Sequence, residues 1–513
     1  MKNSSELRIG SILSYVQMVA GIVIGVLYTP IMIRLLGQSE YGLYNTVSST
    51  ISMLSILNMG FNAGYIKYYA QYKKNQDDNS IYRLNGLFIL IFAIIGVIAL
   101  VCGLFLSNNL SLVFDQGLTI QEYDTAYVLM VLLSFNLAIS FPMSVFQNII
   151  TAHEKFVFLK LLGIVRTVLS PLVTLPILLI GYKSVAIVIV SICINTIIDV
   201  VYAIYVFVKL KQKFIVKNID KKIIGGLFAF TGFIAINLII DQINWNIDKL
   251  LLARYKGTAS VAVYSVGYSL YTYYMMFSSS ISGVFTPRIH TIYNQYIDDV
   301  KTRDRELTSL FIKVGRVQFL PLAMIATGLV FYGKPFVIFW AGSEYSEAYY
   351  VALLLIIPAS IALIQNLGIE IQRAENKHKF RSLAYLIMAL ANLVISIYLC
   401  QLYGPIGSAI GTAVSLILAN GLIMNVYYYK RCGINIPLFW KNILKMSRGL
   451  IIPIVVGIVY TTFVEINNIW QMICGIVIYA IAYGISMWIF AMNNFEKDIF
   501  VKPLKKLFRI GMG

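Results

Sequence analysis

Four polar residues interrupt one apolar run at steps of four, three and four: Asn237, Asp241, Asn244 and Asp248. Helical spacing sets all four on one face. Two carboxylates flanked by neutral amide oxygens can hold a proton or a sodium ion, so Asp241, Asp248, Asn237 and Asn244 are the candidate ion-coupling residues. The bland alternative is a polar seam bonded to neighbouring helices. Two carboxylates seven residues apart exceed what such packing needs. A second run repeats the pattern with Ser191, Asn195, Asp199 and Tyr202. Further polar faces carry Tyr264, Tyr268 and Tyr271, and Ser55 with Asn58. Aromatic faces suit sugar rings and hydroxyls suit sugar hydroxyls. Asn195, Asp199, Tyr264, Tyr268, Tyr271 and Asn58 are therefore the candidate cavity-lining residues, with ordinary helix packing as the alternative.

Two cations stand inside apolar runs. Arg166 follows Lys160 by six residues and Arg316 follows Lys313 by three. Either can snorkel to lipid phosphates. The functional reading is a cationic cavity for an anionic head group, because arginine offers fixed charge and a planar fork to phosphate oxygens.

These residues must be positioned by membrane-spanning helices. The chain is 59% hydrophobic and 12% charged, about half the charge of a soluble protein. Apolar runs of roughly twenty residues recur, each able to cross a bilayer core of about 30 Å. The expected fold is an all-α polytopic membrane protein of about fourteen spans, from 10–33 to 469–492. The seventh (225–253) and tenth (347–369) are interrupted by polar residues. The first run is too long for a signal-peptide core and has no small-residue cleavage site, so it is expected to remain in the mature protein. The net charge of +18 does not imply nucleic acid, since no basic patch with interleaved aromatics occurs outside short loops. The five cysteines are scattered and the histidines (His153, His290, His378) lie in separate loops. Neither a disulfide framework nor a metal site is expected.

Charge sets the orientation. With a cytoplasmic amino terminus, the outer loops hold only Arg34, Lys183, Arg254, Lys256 and Lys334 among the basic residues. That satisfies the positive-inside rule and places both termini in the cytoplasm, where anionic lipids favour the basic tail.

The chain also repeats itself. The corner Tyr28–Tyr44 returns as Asp248–Tyr264, with Arg34, Gly37 and Tyr44 matching Arg254, Gly257 and Tyr264. Gly181 and Ala186 match Gly404 and Ala409. Six spans per repeat give two parallel lobes, 1–222 and 223–430, with two helices and a basic tail in 431–513.

The segments YTPIMIRLLGQSEYGLYN, IDKLLLARYKGTASVAVYSVGYSL and GPIGSAIGTAVSLILANGLIMNVYYYKRCGINI resemble Wzx-type polysaccharide flippases of the multidrug/oligosaccharidyl-lipid/polysaccharide (MOP) exporter superfamily. The resemblance covers essentially the whole chain. It implies a bacterial plasma-membrane carrier that moves undecaprenyl-pyrophosphate-linked oligosaccharides, from capsule, O-antigen or exopolysaccharide synthesis, to the outer leaflet. It implies alternating access driven by a proton or sodium gradient and no bound cofactor. Its partners would be the lipid-linked oligosaccharide, membrane lipids and a glycan polymerase or export protein. Peptidoglycan-precursor flippases carry arginines in their first span, where this chain has Gln17. The alternative within the superfamily is a multidrug or cation antiporter. An enzyme is not expected: Asp77-Asp78 and Asp298-Asp299 lie in short charged loops, with no cytoplasmic domain large enough for a nucleotide sugar.

Overall fold

The computed structural model describes residues 2–115, 118–217, 221–375 and 377–510, which form helices and short connections with no strand. The first half begins with α1 (Lys2–Leu36), which stops at Gly37, where φ is 79°. Next, α2 (Gln38–Met53) runs into a 3₁₀ turn, Leu54–Asn58, and breaks at Met59 and Gly60, both left-handed; α3 (Phe61–Lys74) resumes. The following helices are α4 (Asp78–Asn108), α5 (Ile120–Ala152), α6 (Phe156–Leu179), α7 (Ser184–Val208) and α8 (Lys221–Lys256). The second half holds α9 (Thr258–Gln295), α10 (Val300–Ala341), α11 (Ala348–Ile364) and α12 (Leu367–Ala374). It continues with α13 (His378–Leu416), a π-helical stretch Ile417–Met424, α14 (Asn425–Arg431), α15 (Ile436–Ser447), α16 (Ile451–Phe463), α17 (Ile469–Phe490) and α18 (Asn494–Ile510).

Among the described residues nine helices are long and apolar enough to cross a membrane, or eleven if each of two bent pairs is one span. The remaining expected spans have visible causes. One 53-residue apolar segment, Lys379–Arg431, is divided at Gly404, whose backbone is non-helical. The second expected span is broken into α2 and α3, 16 and 14 residues long and each too short to cross alone. The eighth coincides with α9, whose hydroxyls and tyrosines dilute its hydropathy. The chain is a multi-pass membrane protein.

Helix starts follow local chemistry. Thr119 and Glu122 form a capping box at α5. Asp77 accepts from Ser80 N at 2.9 Å and Asp299 from Thr302 N at 3.1 Å. These hydrogen bonds hold both carboxyls below their ordinary range. One aspartate of each acidic loop pair is thus a helix cap.

The matched glycines share a positive φ. Gly37 and Gly257 take φ of +79° and +81°, and Gly181 and Gly404 take +103° and +56°, values that L side chains avoid. The two matching corners meet. Ser39 and Thr258 hydroxyls are 3.0 Å apart, and a Cβ at Gly42 would fall 1.8 Å from the Thr258 carbonyl oxygen. Gly42→Ala must therefore push α2 from α9, overpacking that costs about 1–3 kcal/mol or more. A lower thermal midpoint in detergent is the expected result, with Gly225→Ala, where a Cβ meets open space, unchanged.

The chain divides into two compact units. The first comprises 1–265 and 393–408, the second 266–392 and 409–513. The first unit ends beyond the 222/223 position expected from the repeat and takes in α8. Its core stacks Phe61, Phe88, Phe92 and Phe141, with Tyr65 donating to Asn85 Oδ1 at 2.7 Å. Outward-facing leucines such as Leu27 and Leu172 are largely exposed, as lipid-facing residues must be. The second unit packs Tyr332, Tyr479, Tyr483, Met446 and Met487, and Tyr483 donates to Leu320 O at 2.6 Å.

Candidate functional site

Arg166 lies ten residues into α6, about 15 Å from its start at 1.5 Å per residue. Its guanidinium pairs loosely: NH2 stands 3.7 Å from Asp199 Oδ1 on α7. The Arg166 side chain is 43% exposed and Asp199 15%. This is a loose pair, beyond hydrogen-bond distance. Toward the start of α6, Phe158 stacks on Tyr205 at 4.0 Å and meets Tyr202 edge-on. On the α1 side, Gln17 closes against Gly163, one turn before Arg166, where an added Cβ would sit 2.6 Å from the amide nitrogen. A cation and a carboxylate thus lie at one depth inside the bilayer, with an aromatic layer beside them. Asn195, one turn from Asp199, has its amide 3.5 Å from Ser191 Oγ.

The second cluster surrounds the break in α2–α3. Gln242 of α8 donates to Ser55 Oγ at 2.8 Å, and Asn246 donates to Gln242 Oε1 at 2.5 Å. Asn148 of α5 donates to Asn62 Oδ1 at 2.6 Å. Asn58 sits in the 3₁₀ turn with a buried side-chain oxygen that lacks a hydrogen bond. A broken span lined by amides is the kind of backbone that tolerates a polar ligand inside a membrane. The sequence reading named Asn58 but missed Gln242 and Asn246. Both lie one position along from Asp241 and Trp245 at the same helical period, so the polar face of α8 is wider than expected.

Within α8 the expected four residues differ in surroundings. Asp241 is exposed and Asn237 and Asn244 are half-buried. Asp248 is 1% exposed. Its carboxylate accepts from the Tyr264 hydroxyl at 2.7 Å and from the Ser408 hydroxyl at 2.7 Å. Tyr264 therefore spends its hydroxyl on Asp248, and this revises the sugar-contact role expected of it. Lys249, beside Asp248, is a half-buried cation that the sequence reading passed over. Tyr268 and Tyr271 belong to the second unit, with ring centroids 5.8 Å apart and Tyr271 buried.

Arg316 is not placed to receive a phosphate. It is buried, and its Nε and NH2 donate to the two Glu496 carboxylate oxygens at 2.5 and 2.9 Å. NH2 also donates to Ala491 O at 2.9 Å and NH1 to Asn442 O at 3.3 Å. The expected head-group role of Arg316 is corrected accordingly: four of its five N–H donors are occupied within the second unit. Among the described residues no group of three or more His, Cys, Asp and Glu side chains could hold a metal.

The model of the polysaccharide biosynthesis protein family matches residues 8–293, more than half of the chain. The chain belongs to that family. A protein described as "Putative O-antigen transporter" of Shigella flexneri is 19% identical over 409 residues, 78% of this chain and 92% of that protein. Capsular polysaccharide biosynthesis protein CapF of Staphylococcus aureus is 26% identical over 208 residues, covering 40% and 50% of the two chains. The fold is shared with lipid II flippase MurJ in an inward closed conformation, at TM-score 0.69 and 16% identity over 96% of this chain and 99% of that one. It is shared also with an inward-facing multidrug resistance MATE family transporter of the MOP superfamily, at TM-score 0.60 and 13% identity over 81% and 98%. The chain is thus a multi-pass membrane protein of the polysaccharide biosynthesis protein family with the fold of these solved structures.

Proposed function

We propose that the chain is a flippase that carries an undecaprenyl-pyrophosphate-linked oligosaccharide from the cytoplasmic to the outer leaflet of a bacterial plasma membrane. The observation that carries this reading is Arg166, a loosely paired guanidinium well inside a span. A head group bearing two phosphates loses hydration on entering a membrane cavity, and a fixed cation with a planar fork offsets part of that loss. Asp199 holds the cation when no phosphate is present and yields it when one arrives. Within the first unit, the amides of Asn195 and Asn58 would serve the sugars. Family membership and the names of the Shigella and Staphylococcus relatives support a glycan substrate of capsule or O-antigen type.

Alternating access between the two six-span repeats, 1–222 and 223–430, would move the substrate. A proton or sodium gradient acting on Asp241 and Asp248 would drive it, and a glycan polymerase or export protein would receive the product. The second reading is a cation antiporter, favoured by the acidic residues Asp199, Asp241 and Asp248. The guanidinium beside Asp199 counts against it, since an organic-cation cavity gains nothing from added positive charge.

Deleting the gene separates the two. Loss of surface glycan with unchanged sensitivity to cationic dyes supports the flippase, and dye sensitivity with intact glycan supports the antiporter. Topology is tested alongside. Single cysteines in a cysteine-free background are expected to react with an impermeant reagent on intact cells at position 121, and at position 497 only after permeabilisation.

A further inference from the structure

We infer that α18, together with α15, is a docking surface for anionic phospholipids at the membrane face where α17 ends. This goes beyond the transported substrate and does not depend on it. The starting point is connectivity. Helix α17 ends at Phe490 and α18 begins at Asn494. Three intervening residues extend at most about 3.3–3.6 Å each, so α18 starts at the edge of the bilayer.

It is also fastened there. Glu496 is 1% exposed and takes two hydrogen bonds from Arg316 of α10. Asn493 and Glu496 cap the helix reciprocally, Asn493 N to Glu496 Oε2 at 2.9 Å and Glu496 N to Asn493 Oδ1 at 3.0 Å. The same guanidinium reaches Ala491 O at the end of α17 and Asn442 O of α15. Lys313 adds a cation over the Phe495 ring at 3.6 Å. One arginine therefore ties α15 and α18 to α10 and to the end of α17. A buried charge pair is costly to assemble and fixes geometry when every donor is met.

What α18 then offers outward is both apolar and basic. Phe495, Ile499 and Phe500 are exposed. Lys497, Lys502, Lys505, Lys506 and Arg509 accompany them in the sequence, against only Glu496 and Asp498. Glu496 is neutralised by Arg316, and Asp498 pairs with Lys502 at 2.7 Å. In α15, Lys441 and Lys445 stand with exposed Leu438 and Leu444 and no acid. Bulky apolar side chains next to lysines, on a helix held at the bilayer edge, match an interface of acyl chains below and phosphates beside. Charge complementarity selects anionic over zwitterionic lipid.

The test uses the full-length chain with Ile499→Cys, or Phe500→Cys as a second site, in a background without its five native cysteines. An environment-sensitive fluorophore is attached. The protein is reconstituted into phosphatidylcholine vesicles, or vesicles containing phosphatidylglycerol as well, each with nitroxide lipids as quencher. Quenching is expected to rise about twofold or more with phosphatidylglycerol and to fall back in high salt. Replacing Lys497, Lys502, Lys505 and Lys506 by glutamine should remove the lipid dependence. Glu496→Gln should lower quenching in both lipids by releasing the helix. Equal quenching in both vesicle types with the lysines intact would overturn the proposal. So would a label that stays in water throughout, which would point to a soluble protein as the occupant.

Discussion

Arg166→Gln is expected to abolish surface glycan while the protein stays inserted and abundant. The side chain is 43% exposed and Asp199 stands 3.7 Å away, so its removal leaves no tightly bound partner stranded. Stability should change by less than about 1 kcal/mol, as for other loosely held ion pairs. The cost falls on the substrate instead. A charge-assisted hydrogen bond contributes roughly 1.5–3 kcal/mol, and a bidentate contact to phosphate makes two. At about 1.4 kcal/mol per factor of ten, losing both lowers loading by on the order of a hundredfold or more. Arg166→Lys keeps the charge and loses the fork, so partial export is expected. Glycan measured on cells lacking the native gene, normalised to membrane protein, distinguishes the three. Asp199→Asn is expected to be milder, because it removes the resting partner and not the phosphate ligand.

The second large effect concerns Asp248. Its buried carboxylate gathers the Tyr264 and Ser408 hydroxyls, each at 2.7 Å. Ser408 lies four residues past the Gly404 break, and Tyr264 lies early in α9. Protonation of the carboxylate would turn one of its acceptors into a donor, and one hydroxyl would have to turn away. That makes Asp248 a place where a proton can change helix contacts. Asp248→Asn is expected to cut gradient-driven transport tenfold or more, the effect of losing about 1.4 kcal/mol of coupling, while substrate binding changes less. Asp241→Asn, at an exposed position on the same helix face, should likewise lower the dependence of transport on the ion gradient. Both variants retaining their full dependence on the ion gradient would move the coupling role elsewhere.

Spans and corners were legible because they depend on local properties. An apolar run of bilayer length has few alternatives, and a glycine after a lone arginine marks a left-handed corner, as Gly37 and Gly257 prove to be. The break in the second span was harder to see. Gly60 is a signal, but Met59 also takes a left-handed φ of 47°, a conformation residue type does not announce. The site was legible in kind and only partly in membership. Asp199 and Arg166 could be named from their spans, and their pairing required knowing how α6 and α7 face one another. Arg316 was misread because depth in a span says nothing about a partner 180 residues away. The spacing of Asn493 and Glu496 was a visible capping signature, and an acid opening a basic tail was the clue to that partner. Gln242 and Asn246 lie off the face that Asp241 and Asp248 define, and their role depends on Ser55 of a separate helix.

The proposed movement of a pyrophosphate-linked glycan, with Arg166 as its phosphate ligand, can be followed directly. The direct measurement places the purified protein in liposomes with a fluorescent undecaprenyl-pyrophosphate oligosaccharide and follows its transfer between leaflets by the fraction accessible to an external quencher. Wild-type protein is predicted to transfer it well above the rate in protein-free vesicles, Arg166→Lys slowly, and Arg166→Gln no faster than the vesicles alone. Equal transfer by wild type and Arg166→Gln, at equal protein per vesicle, would contradict the account.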